Sequence, residues 1–270
     1  MRHCVVNGIT VGGDAPVRLM GVINCSMESF YPNSYVPMES VHATATDMVD
    51  KGTTIIDVGA RSTAPNVQQI SGKAEAERID EALKELDGSG ITVSVDTMHP
   101  GVLAVCLNHD VHLVNDIGGF ASESYAKMVA ESRLPAVLMA SFFRPGDAVG
   151  VDATIQALSA VTERCGRAGV TDYILDPGIG IWTPLRSVED DWQLCSRFDA
   201  FQRFDRPLLA AISRKTFIGS LLDKYPEDRL YGSLAVTMML LLKGASLVRT
   251  HDVAATADVV KVYERMVKGA

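Results

Sequence analysis

The sequence predicts a single (β/α)8 barrel, and three observations carry that prediction. Eight times along the chain a short apolar run stops at a polar or charged residue and a helical stretch follows. The length of 270 residues lies close to the size of about 250 typical of this fold. No linker, low-complexity tract or charge block divides the chain, so residues 1–270 read as one domain. Chemistry in such a barrel sits at the C-terminal ends of its strands. The residues that end the apolar runs therefore form an ordered set of site candidates.

Residues 1–14 are expected to form a short N-terminal hairpin, with 4–6 and 9–11 flanking Asn7-Gly8, a strong two-residue turn signal. It is placed at the bottom of the barrel as a plug. The strand runs then come in order. Residues 19–23 end at Asn24, 54–56 at Asp57, 91–95 at Asp96 and 111–114 at Asn115. Residues 136–139 lead to Ser141, 173–175 to Asp176, 208–212 to the Ser213-Arg214-Lys215 cluster, and 247–248 to Arg249 and His251. Helices are expected over 38–51, 73–86, 101–108, 124–132, 153–168, 188–201, 228–243 and 252–267. Gly52, Gly169 and Gly244 stand where three of them stop, a C-cap choice. Glu189, Asp190 and Asp191 suit the positive end of the helix they open. The stretch 231–243 is apolar on every side, whereas a barrel helix needs only one apolar face. A homodimer through that helix is the expectation; burial under neighbouring helices is the alternative.

Bulk properties narrow the function. The 25 basic and 33 acidic residues give a net charge of -8, against a nucleic-acid partner. Small anionic substrates stay open, since a few clustered cations suffice. Cys4, Cys25, Cys106, Cys165 and Cys195 are scattered, without a Cys-x-x-Cys pair. Neither a zinc site nor a disulfide framework is indicated, and a reduced cytoplasmic location is the simpler reading. No signal peptide is evident. The longest apolar stretch, 234–242, is too short to span a bilayer, so no membrane association is expected.

Among the strand ends, Asp57, Asp96 and Asp176 are carboxylates, while Asn24, Asn115 and Ser141 add neutral hydrogen-bonding groups. Lys215, Arg249 and His251 come from the last two strands, where barrels often bind phosphate. The pocket is expected to be polarised, acidic and amide groups on one side and cations on the other. A carboxylate can take two parallel donors from a guanidine-like edge. A heterocycle with such an edge and an anionic leaving group matches the pattern. Each residue also has a plainer reading: a strand-end Asp can cap a helix or a tight turn. His251 alone reads as structural, but Arg249, two residues earlier on a strand, faces the same way. Asp176 is followed by Pro177-Gly178-Ile179-Gly180, a loop whose glycines permit close approach of a ligand.

At these positions the chain resembles the dihydropteroate synthase family. Met20-Gly21-Val22-Ile23-Asn24 with Glu28-Ser29-Phe30 is similar to the first loop motif, and Ile55-Ile56-Asp57-Val58-Gly59 with Ser62-Thr63 to the second. Ser94-Val95-Asp96-Thr97, Val114-Asn115-Asp116-Ile117 and Leu175-Asp176-Pro177-Gly178-Ile179-Gly180 resemble the third, fourth and sixth. Ser213-Arg214-Lys215-Thr216-Phe217-Ile218-Gly219 and Arg249-Thr250-His251-Asp252-Val253 resemble the last two. Each is moderately specific; seven in order at barrel spacing are highly so. The resemblance implies condensation of 6-hydroxymethyl-7,8-dihydropterin diphosphate with 4-aminobenzoate or a larger arylamine, releasing pyrophosphate. Carried over, Asp96, Asn115, Asp176 and Lys215 hold the pterin, with Asp96 and Lys215 catalytic. Asn24, Thr63, Arg249 and His251 hold the diphosphate, Asn24 also serving Mg²⁺. Arg61 and Ser213 lie on the second-substrate side. A single Asn suffices because Mg²⁺ keeps waters and substrate oxygens around few protein ligands.

The departures from the family pattern are concentrated. The first loop has Met27, Glu28 and Pro32-Asn33-Ser34 where Pro, Asp and a glycine pair are usual. The second reads Ala60-Arg61-Ser62-Thr63-Ala64-Pro65-Asn66, and lacks the family Arg at Ala64. Ala140-Ser141 replace a His-containing stretch, and Trp182-Thr183 replace Gly-Lys. Three readings follow. Arg61 substitutes for the missing Arg; or the second substrate is a bulkier arylamine; or the protein binds pterin without condensing it. The second resembles archaeal chains that make methanopterin-type cofactors, whose amine carries a ribosyl phosphate that Arg61 and Arg144 would meet. A corrinoid methyltransferase with the same pterin floor is a further alternative, but it needs no cluster of anion-binding groups.

Overall fold

The computed structural model describes residues 2–26, 35–62, 70–267 and 269. Asn7 and Gly8, at φ 46° and 78°, turn the chain so that β1 (His3–Val6) pairs antiparallel with β2 (Ile9–Gly12). Eight parallel strands follow: β3 (Arg18–Asn24), β4 (Ile55–Gly59), β5 (Val93–Asp96), β6 (Leu113–Asp116), β7 (Ala136–Met139), β8 (Tyr173–Asp176), β9 (Leu209–Ala210) and β10 (Leu247–Thr250). Their order in the sheet is β8-β7-β6-β5-β4-β3-β10-β9. Leu175 bridges Leu208 in parallel, and its amide donates to the Pro207 carbonyl at 2.9 Å, so the two edges meet and the barrel closes. Residues of β4, β6, β7 and β8 are buried on both faces, which is why these strands read as continuous apolar runs.

The core has two layers. Outward-facing strand residues pack against the ring of helices, from α1 (Val41–Asp50) and α2 (Gly72–Lys84) to α9 (Val253–Val267). Inside, Met20, Ile55, Leu113, Val137, Ile174, Leu209 and Leu247 form an apolar layer with Cys4, Val6 and Val11 of the hairpin. The strand residues of this layer lie at or near the N-terminal ends of their strands. The hairpin therefore plugs the bottom of the barrel, as its composition suggests. All five cysteines are buried and unbridged.

Four elements differ from the sequence expectation. Strand β4 runs on to Gly59, so Asp57 sits in mid-strand rather than at its end. Strand β9 is shorter than the apolar run that predicts it. The stretch 188–201 divides into α6 (Val188–Ser196) and a 3-10 segment, Phe198–Phe204. The seventh unit carries two helices, the unforeseen α7 (Thr216–Leu222) and α8 (Leu230–Leu242). Gly219 hides α7 from a pattern reading, because glycine is a poor helix former. The fold requires it: a Cβ there would lie 2.1 Å from Arg229 Nε.

Helix α8 inverts the usual amphipathic arrangement. Small hydroxyl residues, Ser233 and Thr237, face inward beside Leu240 and Leu241. Their hydroxyls donate to the carbonyls of Arg229 and Ser233, four residues back, which satisfies them within the helix. Tyr231, Met239 and Leu242 point outward, 77%, 54% and 56% exposed. Leu221 of α7 and Val262 and Met266 of α9 are also exposed.

Candidate active site

The C-terminal ends of the strands surround an open cavity of about 270 Å³ lined by Asn24, Gly59, Arg61, Ser62, Asp96, Trp182, Ser213, Lys215, Arg249 and His251, among others. At its base lies Arg249 of β10. Its Nε donates to Asp57 Oδ2 at 2.7 Å and its Nη2 to Asp96 Oδ2 at 2.8 Å. Asp57 is fully buried and accepts two more bonds, from Ser94 Oγ at 2.6 Å and Asn115 Nδ2 at 3.0 Å. One carboxylate thus fixes three donors from β5, β6 and β10. The expected polarised pocket is not what forms. Acidic and cationic groups interleave, because Arg249 points into the barrel and its long side chain reaches the aspartates of β4 and β5. Pairing is what makes such burial tolerable.

These contacts set the protonation states. Burial pushes the Asp96 carboxyl up to about 7; Arg249 opposes that shift and Asp57 adds to it. Burial works against the Arg249 charge, yet Asp57 and Asp96 hold its pKa above the ordinary value. Burial also raises Asp176, against the pull of Lys215 and of the Gly178 amide, which donates to Asp176 Oδ1 at 2.7 Å. Lys215 Nζ donates to the Ile179 carbonyl and lies 5.2 Å from the centre of the Trp182 ring. Burial lowers Lys215 to about 8, with Asp176 and Asp191 opposing. The loop after β8 is rigidly held. Asp191 accepts from the Gly180 amide at 2.7 Å, Arg186 Nη1 donates to the Gly178 carbonyl at 2.8 Å, and Trp182 Nε1 donates to the same carbonyl at 2.9 Å.

The cationic cluster predicted from β9 and β10 is smaller than expected. Burial, then the neighbouring Arg249, Arg214 and Lys215, lower His251 to about 3, so its ring is neutral near pH 7. Its Nδ1 lies 3.0 Å from Ser213 Oγ, which also accepts the His251 amide at 3.2 Å. Arg214, at φ 57°, is bonded through Nε and Nη2 to Asp252 at 2.8 and 2.6 Å and through Nη1 to the carbonyls of Pro226 and Glu227. It is not among the cavity-lining residues, while Ser213 and Lys215 are.

Asn24 lines the cavity at the end of β3, and its Oδ1 accepts the Ser26 amide at 3.0 Å. An amide oxygen is a hard donor of the kind that Mg²⁺ takes, so the chemistry of Asn24 is compatible with one ligand of a hydrated ion. Among the described residues no cluster of three or more His, Cys, Asp or Glu could hold a metal. Thr63 and Ala64 lie outside the described residues, as do Met27 and residues 28–34. Ser141 is buried and its carbonyl accepts from Arg164, away from the cavity. Arg144 is exposed in a loop whose Phe142, Phe143 and Arg144 amides all donate to Asp147.

Three residues matter more than their sequence positions suggest. Asp57 is an internal organiser rather than a ligand at a rim. Trp182 adds an aromatic wall beside Lys215. Glu75 of α2 holds Arg61, with Arg61 Nε 2.6 Å from Glu75 Oε2. A signal for Glu75 was present: it falls on the buried stripe of its helix with Ile79, Ala82 and Leu83, a place for an apolar residue.

Comparison with known proteins agrees with this geometry. A family model described as "Pterin binding enzyme" matches residues 20–251. The dihydropteroate synthase of Escherichia coli K12 is 31% identical over 262 residues, covering 92% of this chain and 90% of its own. A solved dihydropteroate synthase from Coxiella burnetii, in complex with pteroic acid, superposes with a TM-score of 0.87 at 28% identity, covering 98% of each chain. That of Xanthomonas albilineans with 4-aminobenzoic acid gives 0.86 at 28% identity, covering 98% of this chain and 97% of its own. The chain belongs to the dihydropteroate synthase family of pterin-binding enzymes, transferases built on a (β/α)8 barrel.

Proposed function

We propose that this protein is a dihydropteroate synthase of folate biosynthesis, condensing 6-hydroxymethyl-7,8-dihydropterin diphosphate with 4-aminobenzoate or a larger arylamine. The observation that carries this reading is the Asp96–Arg249–Asp57–Asn115 network at the base of a cavity also lined by Lys215, Ser213, His251 and Asn24. A carboxylate and an amide held together suit the donor-rich edge of a pterin. Lys215, Asp176 and the Trp182 wall complete that side. Asn24, Arg249 and His251 form the diphosphate end, with Thr63 joining from the second loop. Arg249 commits Nε and Nη2 to the aspartates, so Nη1 is its nitrogen for the diphosphate. His251, neutral, offers a hydrogen bond rather than a charge.

In the reaction the C–O bond to the diphosphate breaks, its electron pair leaving with pyrophosphate. Asp96 and the electron-rich pterin stabilise the cationic methylene group, while Arg249 and His251 stabilise the departing oxygens. Mg²⁺ bound through Asn24 and substrate oxygens would supply further charge neutralisation. The arylamine nitrogen is neutral at pH 7 and needs no strong base. It forms the C–N bond and then gives up one proton. Arg61 and Ser213 face the second substrate. The methyltransferase alternative needs no anion-binding end, whereas Ser213, Lys215, Arg249 and His251 build one. The exposed apolar side of α8 supports a homodimer through residues 231–243, and the five unbridged cysteines support a cytoplasmic location.

The test is pyrophosphate release from the pterin diphosphate with Mg²⁺ and a panel of amines: none, 4-aminobenzoate, and a ribosyl-phosphate arylamine. Release that requires an amine is expected, and the preferred amine names the product. Absence of release with every amine would remove the condensing activity and leave pterin binding alone.

A further inference from the structure

Glu75 is a deeply buried carboxylate outside the barrel interior, beside the cavity, with 1% of its side chain exposed. A carboxylate so placed must be paired. Arg61 Nε donates to Oε2 at 2.6 Å, Thr97 Oγ1 to Oε1 at 2.7 Å, and His99 Nδ1 lies 3.1 Å from Oε2. Burial alone would raise its pKa, but His99, Thr97 and Arg61 outweigh burial and lower it, so Glu75 is an anion at neutral pH. Its partners come from the segments that leave β4 and β5. Arg61 stands two residues beyond Gly59, and Thr97 follows Asp96 directly. One side chain on α2 therefore ties the walls above two adjacent strands, next to the second loop.

An ion pair is a poor choice for stability here. Removing two charges from water costs more than a good apolar neighbour for Ile79 and Leu83 would. The pair makes better sense as a clamp. Arg61 lines the cavity with its side chain 13% exposed, and its guanidinium plane is set by the grip on Nε. A planar guanidinium held in one orientation recognises a carboxylate or a phosphate by paired, charge-assisted hydrogen bonds.

We infer that Glu75 is a positioning residue, which orients Arg61 as the receptor for the anionic substituent of the arylamine. The inference rests on the condensing reaction proposed above. It separates two parts of amine recognition: the reacting nitrogen is presented by the cavity, and the charged substituent is read at Arg61 through Glu75.

The test varies each substrate in turn for wild type, Glu75→Gln, Arg61→Gln and the double variant. Glu75→Gln keeps the size and the Thr97 hydrogen bond but removes the charge. The expected KM for 4-aminobenzoate rises roughly tenfold to a hundredfold, the range of a charged hydrogen bond. The KM for the pterin diphosphate stays within about twofold. With aniline, which lacks the anion, both single variants lose far less than they do with 4-aminobenzoate. The double variant is no worse than Arg61→Gln alone, since Glu75 acts only through it. Arg61→Lys restores part of the loss. Equal losses with aniline and 4-aminobenzoate, or additive effects in the double variant, would overturn the inference and leave the pair as a loop staple. Should Glu75→Gln fail to fold, Glu75→Asp, which keeps the charge but shortens its reach to Arg61, takes its place in the same 4-aminobenzoate and aniline comparison. A wild type that releases no pyrophosphate with any amine defeats the underlying reaction instead.

Discussion

The two ends of the barrel are made from the same strands and do opposite things. At the bottom, Met20, Ile55, Leu113, Val137, Ile174, Leu209 and Leu247 meet the hairpin residues Cys4, Val6 and Val11, with no charge among them. At the top, Asp57, Asp96, Arg249 and their partners bury charges that are tolerable only because each is matched. The bottom end gains from every contact it excludes from water. The top end gives up stability to hold groups ready for a substrate. The division explains why cavity-lining residues cluster at strand C-termini, and why no apolar substitution at the other end should touch recognition.

The largest effect is expected at the top. Asp96→Asn should lower kcat/KM by about a hundredfold to a thousandfold, the usual result of removing one electrostatic contact to a transition state. The melting temperature should change little, because the amide still accepts from Arg249. Full turnover in Asp96→Asn would refute its place in the chemistry. The converse holds at the bottom. Ile55→Ala should cost roughly 2–5 kcal/mol in denaturant unfolding. Its KM values should match wild type, and a large shift in either would show that the two ends are coupled.

The smallest effect is a pH signature. Lys215 titrates at about 8 in the folded protein, below its ordinary value of about 10.4. Below pH 8 both folded and unfolded chains hold the proton. Between those two values the folded chain has lost it and the unfolded chain has not, so raising the pH favours folding. Wild type should therefore gain stability relative to Lys215→Met from pH 8 to about 10.4. Denaturant midpoints at three pH values measure this; a constant difference would mean that Lys215 is not depressed.

Most of the architecture was legible because strand and helix patterns are local. Eight apolar runs, each ending in a polar residue, predict eight strands and place Asn24, Asp96, Asn115, Asp176 and Arg249 on one rim. What escaped was set by contacts across the fold. Helix α7 carries Gly219 in its middle to make room for Arg229, a neighbour ten residues on. Helix α8 reads as apolar all round, and only packing shows that Ser233 and Thr237 face inward beside Leu240 and Leu241 while Tyr231, Met239 and Leu242 face outward. The helical stripe puts Glu75 in line with Ile79 and Leu83, but its partners Arg61 and Thr97 come from other segments and only the fold shows them.

Local pattern is enough to specify the barrel, the plug beneath it and the order of polar groups around its mouth. Each follows from residues a few positions apart, and strand polarity brings those groups to one end. How those groups pair depends on the folded arrangement. Arg249 reaches Asp57 and Asp96 across 192 and 153 residues of chain, His251 loses its charge to burial beside three cations, and Arg61 is locked to Glu75. Pairing and protonation depend on register, depth and the sum of surrounding charges, which a linear pattern does not contain.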